Sequence, residues 1–153
     1  AINARVREEL EVFEKLKGGA AMDEAGPLWY RGLAQEPEEK LSAHVEQVLA
    51  KHNIKRIAIG HSPTGAAVLP RFGGKVVLID VGLSKVYGGP PACLIIENGA
   101  AFALHRGKKL PLPAEPGAPV LEYLRAAATL DPAPSPIEKL IQRLGSRQGV
   151  AVE

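Results

Sequence analysis

The stretch Ile54-Lys55-Arg56-Ile57-Ala58-Ile59-Gly60-His61-Ser62-Pro63-Thr64-Gly65 decides how the rest of the chain is read. Upstream of it, apolar residues recur at helical spacing. Within it they become a short β-branched run that a glycine closes, which predicts a strand over 54–59. A strand that opens through glycine into a polar, turn-rich loop is where open α/β sheets tend to place their ligands. The pattern returns at 75–81, where Val76-Val77-Leu78-Ile79 reads as a strand buried on both faces. A second glycine-marked loop follows over 82–91.

Helices are expected on the N-terminal side. Val6, Leu10 and Phe13 share one face of a helix over 5–17, with Asn3 as its cap and Gly18-Gly19 as its stop. A second helix begins near Pro37. Glu36, Glu38 and Glu39 lie in or near its first turn, where carboxylates suit the helix dipole. Its buried stripe is Leu41, Val45, Val48 and Leu49, and His52-Asn53 ends it.

On the C-terminal side, strands over 92–96 and 101–104 flank the hairpin signal Glu97-Asn98-Gly99. The proline-rich segment 108–119 reads as an extended connector. A helix over 120–130 follows Pro119, with Leu121, Leu124 and Ala128 on one face. Ser135-Pro136 opens another with Ile137, Leu140, Ile141 and Leu144 as its apolar face, and the residues after Gly145 read as a loose tail. This element order is a mixed α/β (α+β) pattern.

Composition narrows the function. The 153 residues are 46% hydrophobic and 24% charged, which is a globular rather than a disordered balance. Cys93 is the single cysteine, so no internal disulfide can form. A net charge of +2 and an aromatic content of 5% argue against a nucleic-acid partner. No apolar run reaches the roughly 18 residues a membrane span needs, and no basic-then-apolar leader opens the chain. Asp is scarce (Asp23, Asp80 and Asp131), and the four histidines (His44, His52, His61 and His105) are scattered. A two-cation enzyme uses several of both.

The loops carry the candidate chemistry. Gly60-His61-Ser62 admits three readings. As a Gly-x-Ser-x-Gly nucleophile elbow it would use Ser62, but Thr64 stands where the second glycine belongs and Gly65 comes one residue late. As a plain polar turn it would leave His61 partly exposed. As a metal site it would aim a ring nitrogen of His61 into a cleft. In Trp29-Tyr30-Arg31-Gly32, Trp29 is expected in the core, and Arg31 is either a solvated charge or a planar fork for a phosphate or carboxylate. Tyr87-Gly88-Gly89 is either a simple turn or a phenol held over a cleft.

Taken in order, Gly26-Pro27-Leu28-Trp29-Tyr30-Arg31-Gly32, Ile59-Gly60-His61-Ser62-Pro63-Thr64, Ile79-Asp80-Val81-Gly82-Leu83-Ser84 and Tyr87-Gly88-Gly89-Pro90-Pro91-Ala92 resemble the calcineurin-like metallophosphoesterases. The likeness is to the bacterial serine/threonine protein phosphatase-like and Shewanella-like phosphatase branch. The opening Ile2-Asn3-Ala4-Arg5-Val6-Arg7 belongs to the same likeness, which covers roughly residues 1 to 105. It implies the C-terminal half of a four-layer α-β-β-α sandwich over 1–107, a connector over 108–119 and a helical extension over 120–153.

The resemblance also implies phosphoester hydrolysis by a metal-bound hydroxide at a centre of two divalent cations, manganese, iron or zinc. It gives His61 as a metal ligand, Arg31 and Tyr87 as phosphate- or substrate-positioning groups, and Asp80 as a supporting residue behind the ligands. The family's Gly-Asp-x-His-Gly, Gly-Asp, Gly-Asn-His-Glu and His-Gly-Gly motifs do not occur in this chain. The expectation is therefore at most one weak metal site here, an inactive isolated chain, and a partner that is either the missing N-terminal half or a second copy. A non-catalytic interaction module built on the same fold is the alternative. The compartment stays open, cytoplasmic unless a leader lies upstream.

Overall fold

The computed structural model describes residues 2–15, 23–26 and 28–148. The chain divides into two compact units, Ala1–Glu36 and Pro37–Glu153. The first holds α1 (Ile2–Lys15) and a single turn, α2 (Gly32–Gln35). Helix α1 starts before Asn3, so Asn3 lies inside the helix rather than capping it. Gly18-Gly19, expected to stop it, lies outside the described residues. Trp29, expected in the core, is 48% exposed.

The second unit opens with α3 (Glu38–His52), whose C-cap Asn53 adopts the left-handed conformation. Asn tolerates that geometry better than most residues, so the helix stops where the sequence expects. Val45 and Leu49 are buried, and Leu41 and Val48 are half-buried. Glu38 does more than suit the dipole. Its carboxylate accepts the Phe72 backbone N–H at 2.8 Å and the Arg71 guanidinium at 3.3 Å. That fixes the start of α3 beside the end of a strand.

Two three-stranded sheets follow. The first comprises β1 (Ile57–Ile59), β2 (Leu69–Arg71) and β3 (Val76–Leu78), in the order β1-β3-β2. Strand β3 is central: parallel to β1, antiparallel to β2, and buried at all three positions. The apolar run ends earlier than the sequence implies, since Ile79 is 39% exposed. Strand β2 has no strong sequence signal, because Pro70 sits in it. Proline is tolerated there because β2 lies at a sheet edge.

The second sheet is the meander β4 (Ala92–Glu97), β5 (Ala100–His105) and β6 (Lys108–Pro111). Asn98 and Gly99, with φ of 49° and 81°, form the two-residue turn between β4 and β5. Arg106 and Gly107, at 46° and 79°, repeat that geometry between β5 and β6. Residues 108–111, expected as the start of the extended connector, are therefore the third strand of this sheet.

The unit ends with α4 (Ala118–Ala128) and α5 (Ile137–Gln148). The helix runs past Gly145, where a loose tail is expected; residues 149–153 lie outside the described part. Val120, Leu121, Leu124 and Ala127 of α4 and Ile137, Leu140 and Ile141 of α5 are buried. Tyr123 donates its buried hydroxyl to the Val68 carbonyl at 2.8 Å, tying α4 to the chain just before β2. Burial pushes the Tyr123 phenol far above its ordinary pKa.

A buried polar hub anchors the helical pair. Asp131, between α4 and α5, accepts from His105 Nε2 at 3.0 Å, from Arg106 Nε, and from Ser135 Oγ at 2.7 Å. The His105 and Asp131 side chains are both fully buried. Ser135 Oγ also accepts the Ile137 N–H at 3.1 Å, which caps α5. Burial pushes the Asp131 carboxyl up, but the hydrogen bonds from Arg106, Ser135 and His105 outweigh it and hold the group below its ordinary value.

Candidate functional site

The two glycine-marked loops leave the same end of the first sheet, because β1 and β3 are parallel neighbours. This is the carboxyl edge, where open α/β sheets bind ligands. The pairing continues into the loops: Ile79 N–H donates to the Ile59 carbonyl at 2.9 Å, and Thr64 N–H donates to the Asp80 carbonyl at 2.8 Å. Buried Thr64 adds a second tie. Its hydroxyl lies 2.7 Å from the Ala67 carbonyl and 3.2 Å from that of Asp80. Thr64 occupies the place where a nucleophile elbow needs glycine, and its side chain holds the loop base instead.

His61 stands at the start of the first loop with φ of 56°, a left-handed backbone that few non-glycine residues adopt. Its side chain is exposed and makes no hydrogen bond to the described residues. A ring presented on a strained turn at a sheet's carboxyl edge is free to meet a ligand. Ser62 is half-buried and has no hydrogen-bonded base among the described residues, so the pairing that activates a serine nucleophile is not formed.

Asp80 Oδ1 accepts the Gly82 N–H at 3.0 Å, so the carboxylate shapes its own loop. The neck of that loop is closed by Gly89 N–H on the Gly82 carbonyl at 2.8 Å. Gly89 is required there, since a Cβ would sit 1.9 Å from the Val81 carbonyl oxygen. Gly82, at φ +69°, has Tyr87 Cβ 2.9 Å from where its own Cβ would be. Tyr87 and Gly88 N–H both donate to the Ser84 carbonyl, and the Tyr87 side chain is 68% exposed.

Arg31 belongs to the other compact unit. It is half-buried at the N-cap of α2, and its Nη1 donates to the carbonyls of Leu28 and Tyr30 at 3.1 and 3.2 Å. The fork expected to grip a phosphate is thus partly engaged with its own loop. His61 and Tyr87 are the two expected site residues whose loops the fold brings to one sheet edge. Sequence spacing did not reveal the closed neck of the second loop. The signal was present in Gly82 and the pair Gly88-Gly89 flanking a five-residue polar and apolar tip.

Among the described residues no three His, Cys, Asp or Glu side chains come together to hold a metal ion. His61 offers one nitrogen, and one oxygen of Asp80 is committed to Gly82. By themselves these residues do not fit a two-cation centre, which needs several donors per ion. Among the described residues, no helix is long and apolar enough to cross a membrane.

No protein-family profile matches the chain. An uncharacterized protein of Schizosaccharomyces pombe is 38% identical over 87 residues, which is 54% of this chain and 26% of that protein. The chain therefore spans about a quarter of the length of the relative it matches. Among solved structures, a cold-active protein tyrosine phosphatase superposes with a TM-score of 0.51 at 28% identity, over 60% of this chain and 26% of that one. A protein-tyrosine phosphatase of a psychrophilic Shewanella species gives 0.48 at 28% identity over the same share of this chain. The chain has a mixed α+β, phosphatase-like fold.

Proposed function

We propose that this chain is part of a metal-dependent phosphoester hydrolase and forms one wall of its active site. The observation that carries the reading is the fold match to a phosphatase, which coincides with two ligand-ready loops at the carboxyl edge of the first sheet. In this reading His61 is one metal donor, and Tyr87 positions the phosphoester. The remaining donors for two divalent cations come from outside these residues. The cations supply charge neutralisation and an activated water when bound. The 153-residue chain alone is inactive, and it partners with the missing half of the domain or with a second copy.

The test uses the full-length gene product, an aryl phosphate and added manganese. Turnover is expected, and His61→Ala should remove about one bound ion per chain and lower the rate about a hundredfold or more. A full-length protein that hydrolyses no phosphoester with manganese, iron or zinc would end this reading. So would a His61→Ala variant with unchanged metal content and rate.

A further inference from the structure

We infer, on the phosphoester reading above, that Thr64 is a positioning residue: its buried hydroxyl fixes where the His61 ring stands at the carboxyl edge of the first sheet. Residues 60–63 are held at both ends by consecutive residues after β3. On one side the Ile79 N–H donates to the Ile59 carbonyl at 2.9 Å; on the other the Thr64 N–H donates to the Asp80 carbonyl at 2.8 Å. Between these two feet His61 keeps its left-handed backbone, φ 56°. Such a backbone persists only where its surroundings over-determine it. The exposed ring makes no hydrogen bond to the described residues, so it takes its place from the chain beneath it.

The two feet differ. The Ile59 foot is made by backbone atoms, whereas the Thr64 foot adds a side chain. Thr64 is buried and leads into Ala66, Ala67 and Val68, which are buried too. A hydroxyl in so apolar a setting is costly unless it is bonded. Here Oγ1 donates to the Ala67 carbonyl at 2.7 Å, lies 3.2 Å from the Asp80 carbonyl and accepts the Ala66 N–H at 3.4 Å. Valine has nearly the same shape and could make none of these bonds. Pro63 carries the constraint back toward His61, because its ring fixes φ. Asp80 Oδ1 also holds the Gly82 N–H at 3.0 Å, so both glycine-marked loops hang from one residue. A reacting group displaced by about 1 Å can lose about a hundredfold in rate, so a hydroxyl that holds this base acts on the reaction without touching substrate.

The experiment compares Thr64→Val and Thr64→Ser with the unsubstituted full-length protein. Turnover of 4-nitrophenyl phosphate is measured with added manganese, and the assigned ring signals of His61 and His105 are followed by NMR without metal. In Thr64→Val the His61 signals are expected to shift while those of His105 stay in place. Its kcat should fall about tenfold or more with KM within about twofold, and Thr64→Ser, which keeps the hydroxyl, should recover to within about threefold. Unmoved His61 signals overturn the inference, as does an unchanged kcat or a loss that falls on KM. Shifts at both histidines, or no recovery in Thr64→Ser, also overturn it, because Thr64 would then support the whole unit or act through its methyl group. No turnover by the unsubstituted protein removes the phosphoester reading, and the ring signals then decide by themselves whether Thr64 places His61.

Discussion

Two histidines show how differently one fold can use the same side chain. His105 ends β5, is fully buried, and directs Nε2 to the Asp131 carboxylate. His61 follows β1 on a left-handed backbone, exposed, with its ring bonded to none of the described residues. The first sits in a buried network around Asp131, with its Nδ1 left without a partner among the described residues. The second is supported from below by Thr64 and the β1–β3 ladder and left open above. Buried polar networks hold structure together, because removing one member strands the others in a low dielectric. An open side chain on a rigid base costs little to remove, and its value lies in what it meets. The contrast therefore predicts a stability phenotype for one region and a functional phenotype for the other.

The largest effect is expected at Asp131. Asp131→Ala leaves His105 buried without its carboxylate and deprives Arg106 and Ser135 of the same acceptor. Loss of about 3 kcal/mol is expected in urea unfolding monitored by circular dichroism. A loss below 1 kcal/mol would show that the hub is ornamental and the contrast false. Acid offers a second approach to the same group. Its folded pKa lies below the ordinary 3.8, so its stabilisation is complete above the unfolded value and disappears as pH falls through the lower folded one. The α4–α5 pair should hold through mildly acidic solution and loosen only in strong acid. Asp131→Asn should flatten that final drop.

Gly89→Ala comes next. The added Cβ would lie 1.9 Å from the Val81 carbonyl and 2.6 Å from that of Gly82, both backbone atoms that cannot swing away. Overpacking of this kind costs about 2 kcal/mol, here concentrated at the loop neck. Hydrogen exchange should quicken at Tyr87 and Gly88, which donate to Ser84, while the amides of β3 stay protected. Equal quickening across both would mean that the loop is not a separable element and that its rigidity comes from the sheet.

These regions differed in how far the sequence disclosed them. The buried β3, the helix ending at Asn53 and the Asn98-Gly99 hairpin were legible because each rests on local chemistry: apolar run, left-handed asparagine, turn pair. The strand β2 was not, since Pro70 argues against a strand until its edge position is known. Nor was β6, because Arg106-Gly107 is a weak turn signal and the prolines at 111 and 113 suggest a linker. Trp29 is half exposed, since bulk alone does not place an aromatic side chain in a core. At the site, Gly60-His61 and Gly82–Tyr87 stood out as loops after strands, but their common sheet edge follows from the parallel β1–β3 pairing, a long-range fact that no local pattern encodes. The Asp131 hub went unread for the same reason. Its members at 105, 106, 131 and 135 meet only when α4 has brought the chain back to the second sheet.

The smallest stability effect, and the most discriminating one, belongs to His61. Left-handed backbone costs an ordinary residue about 1 kcal/mol that glycine does not incur. His61→Gly should therefore leave the protein as stable or raise its stability by up to about 1 kcal/mol. His61→Val, with a β-branched side chain on the same backbone, should lower it by about 1 kcal/mol. In the full-length protein both should lose phosphoester turnover alike, so that a gain and a loss of stability accompany the same loss of function. That pattern is what a residue held in strain for its chemistry produces. If His61→Gly instead destabilised the fold as much as a buried replacement does, the ring would be a packing element. The difference between His61 and His105 would then be one of degree only.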